Sequence, residues 1–291
     1  MNYYRSIQNA ITFIEKNLNE ELRITEVAAA ACFSAFHFQR VFQAISGFTV
    51  QEYIRKRRLS ESVRLLETTA MSVLEVAVAS QYSSQEAYTR AFEGYFGVTP
   101  GKYRKIKGDA SLSLQAPINF IDYQASKKGD LDMKKPVFVP LDTVKIIGYP
   151  YKTSLNNDRH YHEIPSFYRE FGEKERFMRI PNKLAPGMSY GISCSFQDNG
   201  DFSFLIGEEV QQFEEKLEDG LVNFEIPAGQ YAEFEANGPA GFVQEVRNFI
   251  YGTWLPNSNY ERKEGPDFEV TDVIHSTFPD DLRIKIYIPL K

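Results

Sequence analysis

Apolar residues in the first third of the chain recur at helical spacing. Ile7, Ile11, Ile14 and Leu18 follow one another at intervals of one helical turn and predict an amphipathic helix at the start of the chain. The segment 53–66 has the same period, with apolar residues on one side and most of its basic residues on the other. This part of the chain is therefore predicted to be all α.

Two further helices are indicated by their capping residues. Ser34 and Gly47 bracket the segment 35–45, and Ser83 and Gly97 bracket the segment 84–96. Serine before a helix and glycine after it are typical of helix N-caps and C-terminal caps. Both segments are short enough to be single helices within a larger helical domain.

These two helices belong to a duplicated segment. Residues 27–55 and 76–105 align as two copies of one helix-turn-helix unit once one residue is inserted. The aligned pairs are Val27 with Val76, Arg40 with Arg90, Phe42 with Phe92, Gly47 with Gly97, Thr49 with Thr99 and Tyr53 with Tyr103. Each unit can place one helix in a major groove. The duplication therefore predicts a protein that reads double-stranded DNA.

From Val137 onward, short apolar runs separated by turn residues replace the helical period. Extended segments are predicted at residues 137–149, 188–196, 202–210, 268–274 and 282–289, and a strand pair or bulged strand at 224–234. Residues 160–178 and 242–255 carry apolar side chains at helical intervals. Two rounds of strand, helix and strands predict an α+β fold with helices on one face of a sheet.

The change of pattern also predicts the domain boundaries. The interpretation is an all-α domain at 1–108, an arm and linker at 109–135, and an α+β domain at 136–291. Part of the arm, 112–123, is apolar enough to pack on a domain surface. A chain of 291 residues has room for two such domains.

Charge differs between the two parts of the chain. Residues 1–108 hold 14 Lys and Arg against 10 Asp and Glu, whereas the remainder holds 19 against 29. Only the first part is electrostatically suited to a phosphate backbone. Its basic run, 55–58, is either a solvated helix face or a set of phosphate contacts. The acidic remainder is expected to have another role.

Other residues indicate what the chain is not. Cys32 and Cys194 have neither metal-ligand nor disulfide spacing, and no apolar stretch has the length of a membrane span, which favours a cytoplasmic protein that does not contact membranes. His160, His162 and Glu163 do not share one helix face, so no metal site is expected. No phosphate-binding loop or nucleophile motif is found, and the sequence predicts no cofactor and no catalytic residue.

The helical part resembles a known family. The run from Val27 to Lys105, which includes FSAFHFQRVF and YSSQEAYTRAFEGYFGVTPGKYRK, resembles the DNA-binding domain of AraC/XylS-type transcription regulators. The resemblance implies that exposed side chains of the two reading helices meet base edges and nearby phosphates. They are Phe36, Gln39 and Arg40 in the first helix and Gln85, Glu86, Thr89 and Arg90 in the second. Arginine suits guanine and glutamine suits adenine, whereas Glu86 either selects cytosine or repels a wrong site. The same resemblance makes His37 a packing residue.

Residues 136–291 resemble the GyrI-like effector-binding domain. The matching pieces are IPAGQYAEFEANGP, YGTWLPNSNYERKEGPDFEV and KIYIPLK. In that family the concave face of the sheet forms an apolar, aromatic-lined pocket that contains a glutamate, and the resemblance assigns that role to Glu269. Val270 stands where an aromatic residue is expected, so the ligand type stays open.

The predicted pocket residues are mostly aromatic. They are Tyr149, Tyr190, Tyr231, Phe234, Trp254, Tyr260 and Glu269. A carboxylate in an apolar cavity favours a ligand that brings positive charge, and aromatic faces attract cations. The expected effector is therefore a small amphipathic or cationic molecule. The alternative is that these aromatic residues are only core.

Three classes of function remain. The favoured one is a transcription regulator, activator or repressor, that binds promoter DNA and senses a small molecule through its second domain. In the second, the acidic domain binds a protein partner such as RNA polymerase or a repressor. In the third, the chain is a GyrI-like hydrolase in which a pocket glutamate activates water. Fusion to a duplicated DNA reader favours sensing over turnover.

Overall fold

The chain consists of two compact units. A computed structural model describes residues 3–106, 112–120, 135–156, 159–197 and 199–291. The units are Asn2–Lys128 and Gly129–Lys291. Of the predicted linker 109–135, residues 112–120 and 135 are described, and the other positions lie outside the described residues.

The first unit is helical, as the apolar spacing predicts. Its helices are α1 (Tyr3–Lys16), α2 (Ile24–Ala30), α3 (Ala35–Ser46), α4 (Val50–Thr68), α5 (Val73–Ala79), α6 (Gln85–Phe96) and α7 (Pro100–Ile106). Ile7, Ile11 and Ile14 of α1 have at most 1% of their surface exposed, which confirms them as one buried face. Helix α4 extends beyond the predicted 53–66 at both ends.

The two reading helices, α3 and α6, have matching ends. Ser34 Oγ accepts a hydrogen bond from the His37 N–H at 3.4 Å before α3, and Gly47 ends α3 at a φ of 74°. Ser84 and Gly97 cap α6 in the same way, with φ of 72° at the glycine. Both glycines occupy the left-handed region, which side chains with a Cβ rarely adopt. Ser84 is thus the N-cap of α6 and not its first residue, contrary to the sequence prediction.

The basic run of α4 ties helices together within the unit. Arg57 is 5% exposed, and its Nε and Nη2 donate to the Glu15 carboxylate of α1 at 2.9 and 2.8 Å. Arg58 donates from Nε to the main-chain oxygen of Leu18 at 2.8 Å, beyond the end of α1. The expectation of a solvated or phosphate-binding face is wrong for these two arginines, because their guanidinium groups already satisfy acceptors of the same unit.

The described residues of the second unit form a curled antiparallel sheet of eight strands with helices. The strands are β1 (Val137–Leu141), β2 (Val144–Ser154), β3 (Met188–Cys194), β4 (Asp201–Glu209), β5 (Val222–Ile226), β6 (Gly229–Glu235), β7 (Asp267–Asp272) and β8 (Ile284–Leu290). They lie in the order β1-β6-β8-β7-β3-β4-β2-β5. Helix α8 (Arg159–Glu173) follows β2. Helix α9 (Phe242–Phe249) follows β6 and continues through a π-helical turn, Ile250–Trp254, into α10 (Leu255–Asn257).

The sheet contains a strand-helix-strand-strand repeat. One copy is β2, α8, β3 and β4, the other is β6, α9, β7 and β8, and the copies meet where β3 pairs with β7. This arrangement confirms the predicted duplicated α+β fold. The segment 224–234 is not a strand pair, however. Its two strands separate at Pro227, since β5 pairs with β2 near one end of the sheet and β6 pairs with β1 and β8 near the other.

No helix among the described residues is long and apolar enough to cross a membrane. In the same part of the chain, no group of three or more His, Cys, Asp or Glu is arranged to hold a metal ion.

Candidate functional sites

The first reading helix, α3, presents an aromatic and a basic side chain. Phe36 and Arg40 are both half-buried, and the Arg40 guanidinium lies 5.4 Å from the centre of the Phe36 ring. Gln39 is only 2% exposed, and its Nε2 donates to the Ala35 main-chain oxygen at 3.3 Å. The expectation that Gln39 is exposed is therefore wrong, because this side chain folds back along its own helix.

The structure confirms His37 as a packing residue. The side chain is 6% exposed, and its ring centre lies 4.5 Å from that of Phe33 and 5.5 Å from that of Tyr3. These rings connect the start of α3 to α1. His37 is thus part of the core that fixes the reading helix.

The second reading helix, α6, presents a more polar surface. Gln85, Glu86 and Arg90 are exposed, and Thr89 is half-buried. The backbone N–H of Glu86, followed by the Ser84 hydroxyl, lowers the pKa of the Glu86 carboxyl group. At neutral pH this helix therefore carries two forked side chains and one ionised acceptor, which are the groups that distinguish base pairs in a major groove.

In the second unit, Glu269 lies in a row of residues that crosses six strands. The residues stand directly opposite one another in the order Tyr149, Ile206, Gly191, Glu269, Ile286 and Phe234. Helices α8 and α9 cover this face, because side chains from both reach Glu269. We call it the helix-covered face.

The Glu269 carboxylate is paired within the chain. Tyr168 of α8 donates from its hydroxyl to Oε1 at 2.9 Å, and Arg247 of α9 donates from Nη2 to Oε2 at 2.7 Å. Arg247 and Glu269 are 7% and 6% exposed. Glu269 therefore does not require a cationic ligand, since Arg247 supplies the positive charge. Tyr168 and Arg247 were not predicted from the sequence, although each is a polar residue within a predicted amphipathic helix.

Gly191 makes this arrangement possible. A Cβ at position 191 would collide with the Tyr168 hydroxyl and would lie 3.0 Å from Glu269 Cγ. The absence of a side chain on β3 lets both groups meet above the central strands.

Tyr190 and Tyr231 lie on the opposite face, in what we call the aromatic cluster. Its members are Tyr190, Tyr231, Phe268 and Tyr287. The Phe268 ring centre lies 4.7 Å from that of Tyr287, 5.6 Å from that of Tyr231 and 6.1 Å from that of Tyr190. The Tyr287 and Tyr190 rings are nearly parallel to that of Phe268, with interplanar angles of 8° and 23°.

Two carboxylates adjoin the aromatic cluster. Tyr190 donates to Oε2 of Glu209 at 3.0 Å, and Tyr287 donates to Oε2 of Glu233 at 2.8 Å. Burial, together with the neighbouring carboxylate, raises the pKa of both tyrosines above the usual range. Both hydroxyl groups therefore stay protonated as donors. Phe268, Tyr287 and the two carboxylates were not predicted from the sequence, although the period-two alternation of β4, β6, β7 and β8 places them on one face of the sheet.

The last two predicted pocket residues belong to a third group, at the β1 end of the sheet. The ring centres of Trp254 and Tyr260 lie 5.9 Å apart in a stack, and Phe138 extends the group at 4.5 Å from Tyr260. Phe234 meets Trp254 edge-on at 4.9 Å. Tyr260 and Phe138 are 42% and 43% exposed. The seven predicted pocket residues are thus not all on one face. Tyr149, Phe234 and Glu269 lie on the helix-covered face, where Phe234 also contacts the Trp254 and Tyr260 group, whereas Tyr190 and Tyr231 lie in the aromatic cluster.

Comparison with known proteins matches each of the two units to a family. Residues 138–290 match the family of integron-associated effector binding proteins, and residues 27–106 match a helix-turn-helix domain family. The chain is 29% identical over 304 residues to the right origin-binding protein of Escherichia coli, and 27% identical over 303 residues to the transcriptional regulator Rob of Salmonella typhimurium. Each alignment covers 98% of both chains. An integron cassette protein from Vibrio cholerae, at 16% identity and a TM-score of 0.41, covers 55% of this chain and 97% of its own.

A duplicated helix-turn-helix unit joined to an effector-binding domain defines a DNA-binding transcription regulator. The chain belongs to the integron-associated effector binding protein family through its second domain, and its first domain is of the AraC type.

Proposed function

We propose that this protein is a one-component regulator that binds promoter DNA through both reading helices and responds to a small aromatic cation bound at the aromatic cluster. The observation that carries the proposal is the pairing of stacked aromatic rings with the carboxylates of Glu209 and Glu233. Aromatic faces and carboxylates both attract cations, and rings also stack on aromatic ligands.

The exposure of the cluster favours one direction of approach. Phe268 and Tyr231 are each 1% exposed, whereas Tyr287 is half-buried. A ligand therefore reaches the cluster from the Tyr287 side, where Glu233 also lies. Lys285 pairs with Glu233 at 2.8 Å while remaining 51% exposed, so a cationic ligand can replace it at little cost.

Titration with two matched compounds tests the effector proposal. Tetraphenylphosphonium is a bulky aromatic cation, and triphenylphosphine oxide is a neutral compound of related shape. Calorimetry on the full chain is expected to show binding of the cation, with a weaker or undetectable response to the neutral compound. Glu209→Gln and Glu233→Gln should each weaken the cation about tenfold, the loss of one charge-assisted contact.

Glu269→Gln is the control on the helix-covered face, where it removes the same charge. Because this residue is buried and paired, the control is measured on protein that circular dichroism shows to be folded. This substitution should leave the ratio of the two affinities unchanged. If the ratio of cation to neutral affinity falls in Glu269→Gln but not in the other two variants, the ligand binds on the helix-covered face and not at the aromatic cluster. Binding of neither compound would contradict the sensor proposal and favour a protein partner, such as RNA polymerase, for this domain.

For DNA, we propose that base edges are met by Phe36, Arg40, Gln85, Glu86, Thr89 and Arg90. Gln39 is left out because it is buried. Arg40→Ala and Arg90→Ala should each weaken specific binding by about 1–3 kcal/mol and relax the preference at one base pair. Footprinting should show two protected patches on one face of the duplex. Equal losses on specific and random DNA would assign both arginines to phosphate contacts.

A further inference from the structure

Residues 112–120, which follow the second helix-turn-helix unit, return along the joining helix α4. Ser60 Oγ accepts a hydrogen bond from the Gln115 N–H at 2.9 Å, and Tyr53 Oη accepts one from the Ile118 N–H at 3.2 Å. As the segment advances in sequence, its partners on α4 therefore move backward, from Ser60 to Tyr53. We call residues 112–120 the return arm.

One end of the return arm contacts the second helix-turn-helix unit, and the other end contacts α1, which packs against α2. Leu112 packs against the core of the second helix-turn-helix unit, which includes Tyr88 and Phe92. Phe120 is fully buried, and its N–H donates to Oε1 of Gln8 on α1 at 2.9 Å. The arm thus extends from the core that contains α6 to α1. Helix α1 packs against α2, and its Tyr3 contacts His37 of α3.

Arg57 joins the arm to both helices. Its Nη1 donates to the Gln115 main-chain oxygen at 2.7 Å, while its Nε and Nη2 bind Glu15 of α1. Tyr53, one turn earlier on α4, also donates to Glu15 at 2.7 Å. Helices α1 and α4 and the arm therefore meet at one buried guanidinium group.

We propose that the return arm is a positioning element for DNA reading: it fixes α4 against α1 and thereby sets the placement of α3 relative to α6. Helix α4 connects the two helix-turn-helix units, so a change in its packing changes the distance and angle between the reading helices α3 and α6. Two rigidly linked contacts bind DNA with avidity only if their spacing matches the spacing of the two grooves. This inference rests on the proposed two-helix reading of DNA.

The test uses the full chain and a DNA fragment selected by the wild-type chain from random sequences. A second fragment has one of the two protected patches scrambled, and a third has one base pair inserted between them. The variants are Phe120→Ala, which empties a buried site, and Gln8→Ala, which removes the acceptor of the Phe120 N–H. Leu114→Ala is the matched control, since Leu114 lies in the same arm but is 51% exposed.

Phe120→Ala and Gln8→Ala are expected to lower affinity for the two-patch fragment about tenfold and to change affinity for the one-patch fragment by less than about twofold. Both should also discriminate less against the inserted base pair. Leu114→Ala should behave like the wild type. Thermal melting by circular dichroism identifies any variant that does not fold. If Phe120→Ala does not fold, the affinities of Gln8→Ala, the milder change, test the proposal alone.

Equal losses on the one-patch and two-patch fragments would overturn the inference, because the arm would then only stabilise the fold. Wild-type affinities in both arm variants would overturn it as well. If the wild-type chain itself does not prefer the two-patch fragment, the two-helix reading of DNA fails, and the positioning role fails with it.

Discussion

Arg247 and Glu269 form an ion pair between α9 and the central strand β7, with a distance of 2.7 Å and with 8% of each side chain exposed. Burial alone would lower the pKa of Arg247, but the attraction of Glu269 raises it above its usual value, so the guanidinium group stays charged. Tyr168 brings α8 of the other half to the same carboxylate. One side chain therefore connects the helices of both repeats to the middle of the sheet.

Removing one member of this pair should destabilise the second domain strongly. Glu269→Gln leaves the Arg247 charge buried without its counter-ion and is expected to lower the free energy of unfolding by about 3–5 kcal/mol. Urea unfolding followed by circular dichroism measures the change. The double variant Arg247→Met, Glu269→Leu should lose much less, because it buries no charge. If the double variant loses as much as Arg247→Met and Glu269→Leu lose singly when added together, the two residues are not coupled as the geometry indicates.

Gly191→Ala should destabilise the same region by a different cause. The added Cβ would collide with the Tyr168 hydroxyl, and the expected cost is about 1–3 kcal/mol. Tyr168→Phe removes the colliding oxygen, so Gly191→Ala should cost less in that background. A double-mutant cycle measured by urea unfolding gives the difference. Additive losses would show that the Tyr168 hydroxyl does not cause the cost and would assign it to the close approach of Phe204 Cζ, which lies 2.8 Å from the added Cβ.

Substitutions of Arg57 and Arg55 should distinguish a basic residue of α4 that stabilises the fold from one that is exposed to solvent. Arg57→Ala breaks the contacts to Glu15 and to the arm and is expected to lower the free energy of unfolding by about 3 kcal/mol. Arg55 is exposed on the same helix, so Arg55→Ala should leave stability nearly unchanged. Because Arg57 is buried, its loss should not alter the salt dependence of binding to random DNA. A slope reduced by about one unit in Arg57→Ala, with unchanged stability, would make it a phosphate contact after all.

Local signals in the sequence predicted much of this fold. The serine and glycine caps of α3, the apolar face of α1 and the strand-helix-strand-strand order are each determined by residues close together in the chain. The partners of Glu269 and Arg57 could not be predicted in this way. Arg247 lies 22 positions from Glu269, and Glu15 lies 42 positions from Arg57, so each contact depends on tertiary packing.

The candidate sites show the same difference. Of the four side chains predicted to be exposed on α6, Gln85, Glu86 and Arg90 are exposed and Thr89 is half-buried, because the period of the helix determines which positions face outward. The aromatic pocket residues were not grouped correctly, because neighbouring positions on a strand point to opposite faces of the sheet. Glu269 and Phe268 are adjacent in the sequence, yet one lies on the helix-covered face and the other in the aromatic cluster.

The free energy of unfolding should fall in alkaline solution because of the same buried network. Burial, followed by the charge and the hydrogen bond of Glu269, raises the pKa of Tyr168 well above its usual value near 10. The folded state therefore keeps this proton at a pH where the unfolded chain loses it. The contribution of Tyr168 to the free energy of unfolding is fully present below the pKa that a tyrosine has in the unfolded chain, about 10. Above that pH the free energy of unfolding declines by about 1.4 kcal/mol for each pH unit and each such proton.

Tyr168→Phe removes one titrating group from the folded state and should reduce this decline. Urea unfolding at pH 8 and pH 11 is expected to show a lower stability for the variant at pH 8, where the hydrogen bond to Glu269 is lost, and a smaller difference between the two pH values. Tyr260→Phe is the control, since Tyr260 is 42% exposed and contacts neither Arg247 nor Glu269. A decline in Tyr168→Phe as steep as in the wild type would show that Tyr168 ionises equally in the folded and unfolded chains.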